Sequence, residues 1–182
     1  MFYSHGGGFA TGNGGADVLI GGFIIGGSQA KTVVVRARGP SLTAAGVPGA
    51  LQNPLLQLFS GQTQIGVNDD WQQAGNAAQL TSSGFAPADP RESAILVALG
   101  PGAYTAIVSG VGSTTGVGIV EVFEVDLPEV PLINIATRGQ VLTAADVMIG
   151  GFIIQGESPQ TVIVRARGPS LTALGVPGAL QN

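Results

Sequence analysis

Cysteine is absent, lysine and histidine occur once each, as Lys31 and His5, and charged residues make up only 10% of the 182 positions. Without cysteine there is no disulfide framework and no thiolate metal site. With seven basic residues and a formal net charge of −4, there is no basic stripe of the kind that binds nucleic-acid phosphates. No run of 18 apolar residues exists, and the most hydrophobic stretch, 18–25, is broken by Gly21 and Gly22, so no membrane-crossing helix is expected.

Catalytic readings fare no better. His5 sits in a Gly-rich segment with no cysteine to activate, which leaves no nucleophile and base pair. Glu121 and Glu124 are an odd number of residues apart on one expected strand, so they face opposite ways and cannot work as a glycosidase pair. The string GSTTG at 112–116 falls between strands instead of opening a helix, so it reads as a turn and not a phosphate loop. The sequence therefore predicts a protein that is not an enzyme.

What the chain does contain is 30 Gly, 11 Pro and many Val and Ile, a composition of short strands and turns that predicts an all-β fold. Residues 16–53 return as residues 145–182 without insertion or deletion, with 30 of 38 positions identical and a period of 129. A period this long is domain-sized, since solenoid repeats run roughly 20 to 50 residues. Five of the eight differences fall at Gly26, Ser28, Gln29, Ala30 and Lys31, which predicts an exposed loop tip between two buried strands.

The pattern divides the chain into a Gly-rich arm (1–15), a β-sandwich unit (16–131) and the first third of a second unit (132–182). Residues 3–15 should align with 132–144 and barely do; no secretory leader is visible, and the natural start is expected upstream. Strands are expected at 17–25, 32–38, 54–59, 64–67, 93–98, 102–109 and 116–125. The first, nearly continuous in apolar residues, is expected to be covered on both faces. An Asp in the run Asn68, Asp69, Asp70, Trp71 is placed to cap a short helix reaching about Leu80. Seven or eight such strands predict a jelly-roll-like two-sheet sandwich with a short helix.

The order PLLQLFSGQTQIGVNDDW, SAILVALGPGAYTAIVSG and GVGIVEVFEVD resembles the pre-peptidase C-terminal type of bacterial β-sandwich. The whole period, from LINIATRG through IGGFII and VRARGPSL, is similar to a tandem module of large secreted or surface proteins of environmental bacteria. The resemblance implies an extracellular, non-catalytic structural or adhesive role. It also implies calcium at the acidic turn Asn68, Asp69 and Asp70, although two carboxylates and an amide are only the start of a shell of six to eight oxygens. The plainer alternative is a helix-capping aspartate. Trp71, the only tryptophan, either stacks on a sugar of an extracellular polysaccharide or plugs the core, and Tyr104 shares a strand face with Ala106 and Val108 and belongs to the core.

Arg36 and Arg38 share one strand face, as do Glu124 and Asp126, so the four are placed to form an ion-pair ladder, or else are simply solvated. In the partial copy, Val147, Ile149, Phe152, Ile154, Val162, Val164, Arg165 and Arg167 carry the same pattern without the elements that should cover it. An isolated third of a sandwich exposes strand edges that template pairing with another chain. Two readings follow: completion by a neighbouring subunit, giving a homopolymer through strand exchange, or the start of another bead in a continued chain. The function expected is an extracellular or cell-surface structural protein forming a fibre by head-to-tail β-strand complementation or tandem repetition. The alternative is a calcium-dependent carbohydrate-binding or adhesive module.

Overall fold

A computed structural model describes residues 2–8, 18–126, 132–141, 147–154 and 157–181. Two units divide the chain, Met1–Phe152 and Ile153–Asn182. The first is an all-β sandwich of two antiparallel five-stranded sheets.

Its strands are β1 (Phe2–Gly8), β2 (Leu19–Ile25), β3 (Lys31–Arg38), β4 (Pro54–Ser60), β5 (Thr63–Asn68), β6 (Ser93–Leu99), β7 (Gly102–Gly110), β8 (Gly116–Glu124), β9 (Leu132–Arg138) and β10 (Met148–Phe152). One sheet has the order β10-β1-β8-β3-β6 and the other β5-β4-β7-β2-β9. Within the first eight strands β1 pairs with β8, β2 with β7, β3 with β6 and β4 with β5. That is the winding of a jelly roll, in which a long antiparallel hairpin is wrapped into two sheets.

Period-two alternation builds the core. Phe23 and Ile25 of β2, Val33 and Val35 of β3, and Val120 and Val122 of β8 point between the sheets and are buried. On β2 the burial alternates instead of being continuous, because only one face of its sheet is packed against the other sheet. Tyr104 packs on this core as expected, its ring stacked on Phe23 at 5.5 Å and its hydroxyl donating to the Gly100 carbonyl.

The outer face of the β3/β8 sheet carries a second, smaller core of Val34, Leu80, Ala94 and Phe123, against which Trp71 and Phe85 pack. The connection between β5 and β6 lies over it, with a 3-10 turn at Trp71–Gln73 and the helix α2 (Ala77–Ser82). Asp70 stands at the start of that turn but makes no cap with its side chain; its Oδ2 accepts from Gln73 Nε2 instead. Gly84, at φ +77, closes the helix in the left-handed conformation that glycine adopts without cost.

One element was hidden. Pro40–Ala44 forms a short helix, α1, immediately after β3. Proline at its first position fixes φ where a missing N–H does no harm. Gly39 before it lies so close to the Leu51 carbonyl that a Cβ would sit 2.0 Å from the oxygen. No other residue fits there.

Candidate assembly site

The repeated motif RARGPS is the most elaborately held stretch of the first unit. Arg36 lies directly opposite Glu121 in the β3/β8 register, and its Nε donates to Glu121 Oε2. Its Nη1 donates to the Phe85 carbonyl at 2.9 Å, and the guanidinium lies over the Phe123 ring at 4.6 Å. A charge so nearly buried persists only because paired acceptors and an aromatic face replace its water. Arg38 Nε donates to Ser41 Oγ at 3.0 Å, and Ser41 Oγ in turn donates to Glu92 Oε1. Glu92 is fully buried, and the same Oε1 accepts the N–H groups of Gly39 and Ser41, each at 3.0 Å. One carboxylate from the chain before β6 therefore holds the start of α1.

The ion-pair ladder expected of Arg36, Arg38, Glu124 and Asp126 is replaced by a different pairing. Register and parity decide it: Glu124 faces the inter-sheet side with Lys31, while Arg36 shares the outer face with Glu121. Lys31 Nζ lies 3.4 Å from Glu124 Oε2 and donates to the Asp126 carbonyl at 2.7 Å. Asp126 Oδ1 accepts the Thr32 N–H at 2.7 Å, and Glu124 Oε1 accepts the Leu132 N–H at 2.9 Å. Lys31, expected in an exposed loop tip, is 0% exposed and begins β3. The exposed tip is confined to 27–30.

The acidic turn is occupied by its own backbone. Asn68 Oδ1 accepts the Ala94 N–H and its Nδ2 donates to the Asp70 carbonyl, so the amide oxygen already serves β6. Asp69 is exposed, and no group of three or more metal-ligating side chains occurs among the described residues. Trp71 is half-buried against the outer core, its indole N–H donating to the Asp89 carbonyl at 3.2 Å. Beside it, Arg91 donates from Nε and Nη2 to the two oxygens of Asp89. That hydrogen bonding holds the Asp89 carboxyl below the usual carboxylate range.

The second copy of the motif keeps the local bonds of the first. The helix α3 (Pro169–Thr172) forms again, and Arg167 Nε donates to Ser170 Oγ at 3.1 Å. A Cβ on Gly168 would meet the Leu180 carbonyl oxygen at 2.1 Å, as Gly39 meets Leu51. Yet residues 157–167 form no strand, and Val162, Val164, Arg165 and Arg167 are exposed. Val147, Ile149, Phe152 and Ile154 are exposed as well.

The strands opening the partial repeat are taken up at the edges of the first sandwich. β9 pairs antiparallel with β2, Gly22 opposite Ala136 and Phe23 opposite Ile135. β10 pairs antiparallel with β1, Ser4 opposite Gly150. Sequence reasoning missed both seats, because β9 corresponds by position to β1 and β10 corresponds to β2, and neither copies its counterpart's place. No family model, curated protein or solved structure matches the chain.

Proposed function

We propose that this chain is an extracellular structural protein whose successive repeat units share strands and so build a fibre. The observation that carries this reading is the placement of β9 and β10. Both belong by period to the second repeat, and both complete sheet edges of the first. Strand addition to an open edge is a recognition mode that uses main-chain hydrogen bonds and is indifferent to most side chains. Repeated head to tail without closure, it yields a filament.

The exposed apolar residues of the partial copy support the same reading. In the first copy Val33 and Val35 lie on a strand flanked by β6 and β8, and Phe23 and Ile25 on one flanked by β7 and β9, so the elements that would flank the second copy are known from its duplicate. The resemblance of the sequence to modules of bacterial secreted and surface proteins supports an extracellular location, and low charge with a single sealed lysine suits persistence outside a cell.

The test is electron microscopy of the native material, followed by its mass under denaturing conditions. Filaments built of 18.2 kDa chains are the expected result for separate subunits. Filaments of much larger chains would place the sharing within a covalent array. Single particles without filaments overturn the proposal.

A further inference from the structure

We infer that the peptide bond between Asp89 and Pro90 is a self-cleavage site, with the Asp89 carboxyl as nucleophile, the Trp71 indole and the Glu92 N–H as polarisers of the carbonyl, and Arg91 as the latch that holds it closed. The inference is independent of the fibre reading.

Asp-Pro occurs once in the sequence, in the connection between β5 and β6. An aspartate carboxyl is tethered to its own main-chain carbonyl closely enough to close a five-membered ring, so no second reactant has to be brought in. The proline nitrogen belongs to a tertiary amide, more basic than the secondary amide of other residues and a better leaving group.

The surroundings suit that step. The Asp89 carbonyl oxygen accepts two hydrogen bonds, from the Trp71 indole N–H at 3.2 Å and from the Glu92 N–H at 3.1 Å, and such donors stabilise the negative charge that gathers on the oxygen as a tetrahedral intermediate forms. Asp89 is partly exposed and Pro90 exposed, so water reaches the bond.

Arg91 opposes it. Its N–H and Nε donate to Asp89 Oδ1 at 2.9 and 3.0 Å, and its Nη2 donates to Oδ2 at 2.9 Å. These bonds tie both oxygens and favour the ionised carboxylate, the form that lacks the proton the leaving nitrogen needs. The neighbouring carboxylates are engaged elsewhere, Glu92 with Gly39 and Ser41 and Asp70 with Gln73.

In the reaction the neutral Asp89 carboxyl adds an oxygen to the Asp89 main-chain carbonyl carbon. The bond from that carbon to the Pro90 nitrogen breaks, and the carboxyl proton passes to the departing nitrogen. The cyclic anhydride left on Asp89 takes up one water and opens to two carboxyl groups, so the sum is hydrolysis of one peptide bond. Position 89 separates β1 to β5 from β6 to β10, and β3 pairs with β6 and β8 while β2 and β4 pair with β7. The two pieces therefore remain one sandwich after the cut.

The test is the rate at which the full-length chain yields pieces 1–89 and 90–182, read by mass at the lowest pH at which its circular dichroism is still that of the folded protein. Arg91→Ala should cut roughly fivefold or more faster than the parent while folded, and faster folded than in denaturant at the same pH. Arg91→Gln, of similar length, reads the same release a second way. Trp71→Phe added to Arg91→Ala keeps a ring in the outer core, removes the indole donor and should slow the cut about tenfold. Asp89→Ala should abolish it. Folded Arg91 variants that cut no faster than the folded parent overturn the inference. So do variants that cut no faster folded than unfolded, which would leave only the acid lability of any Asp-Pro bond.

Discussion

The two copies of the 38-residue segment offer a comparison in which sequence is nearly constant and surroundings are not. Val34 is 0% exposed and its counterpart Ile163 is 86% exposed. Phe23 is 2% exposed against 40% for Phe152. The helical turn after the motif is nonetheless the same in both, down to the bond from arginine to serine. The turn is therefore written locally, in Gly, Pro and Ser, whereas the strand before it exists only where β6 and β8 supply partners. Helical turns close their own hydrogen bonds; strands borrow theirs.

This contrast is open to direct attack. The largest effect should come from Phe23→Ala, which removes a ring from the inter-sheet core at a cost of about 4 kcal/mol. Phe152→Ala, in the same sequence context, should cost no more than about 1 kcal/mol. Chemical denaturation of the two variants measures both. Equal costs would mean that the second copy is packed as tightly as the first.

Next is Arg36→Ala, which leaves Glu121 buried without its main partner and should cost about 3 kcal/mol. Arg165→Ala, at an exposed position, should stay within about 0.5 kcal/mol of the parent. Slightly smaller is Glu92→Ala. Removing that carboxylate strands the N–H groups of Gly39 and Ser41, at about 2 kcal/mol. Amide exchange at Gly39 and Ser41 should then rise to the rates of Gly168 and Ser170, erasing the difference between the copies. Unchanged exchange would show that the turn never depended on Glu92.

The smallest effect concerns acid. Because the Arg91 hydrogen bonds depress the folded Asp89 pKa, their contribution is present above the unfolded carboxylate pKa and is lost as pH falls through the lowered folded value. Arg91→Ala should therefore leave a melting curve that differs from the parent near neutrality and coincides with it in strong acid. Trp71 fluorescence is the natural reporter, since its indole is bonded to the Asp89 carbonyl.

Much of the sandwich was legible in the sequence, because alternation and Gly or Pro punctuation mark strands that lie within one repeat. Pro54–Ser60 with Thr63–Asn68, and Gly102–Gly110, fall where the pattern puts them. The short helix at Pro40–Ala44 was less visible, since five residues carry no periodicity and its holder, Glu92, is 51 residues from Ser41. Ion pairing was legible as a tendency and not as a partner list. Arg36 stands opposite Glu121, whereas Glu124, three residues along β8 and on the other face, stands opposite Val33, and that register is set by the whole sheet. Lys31 was misplaced for a related reason: variation between copies marked it as exposed, whereas its partners Glu124 and Asp126 belong only to the first copy's surroundings.

That lysine has a practical consequence. The only side-chain amine of the chain is sealed at the end of the sandwich, so in the folded chain the Lys31 ε-amine is out of reach of amine-reactive labels and lysine-specific proteases. Opening the sandwich uncovers the amine. Labelling at this one position therefore counts unfolded chains directly, and a preparation that resists such reagents while intact and yields to them on melting carries its own gauge of integrity.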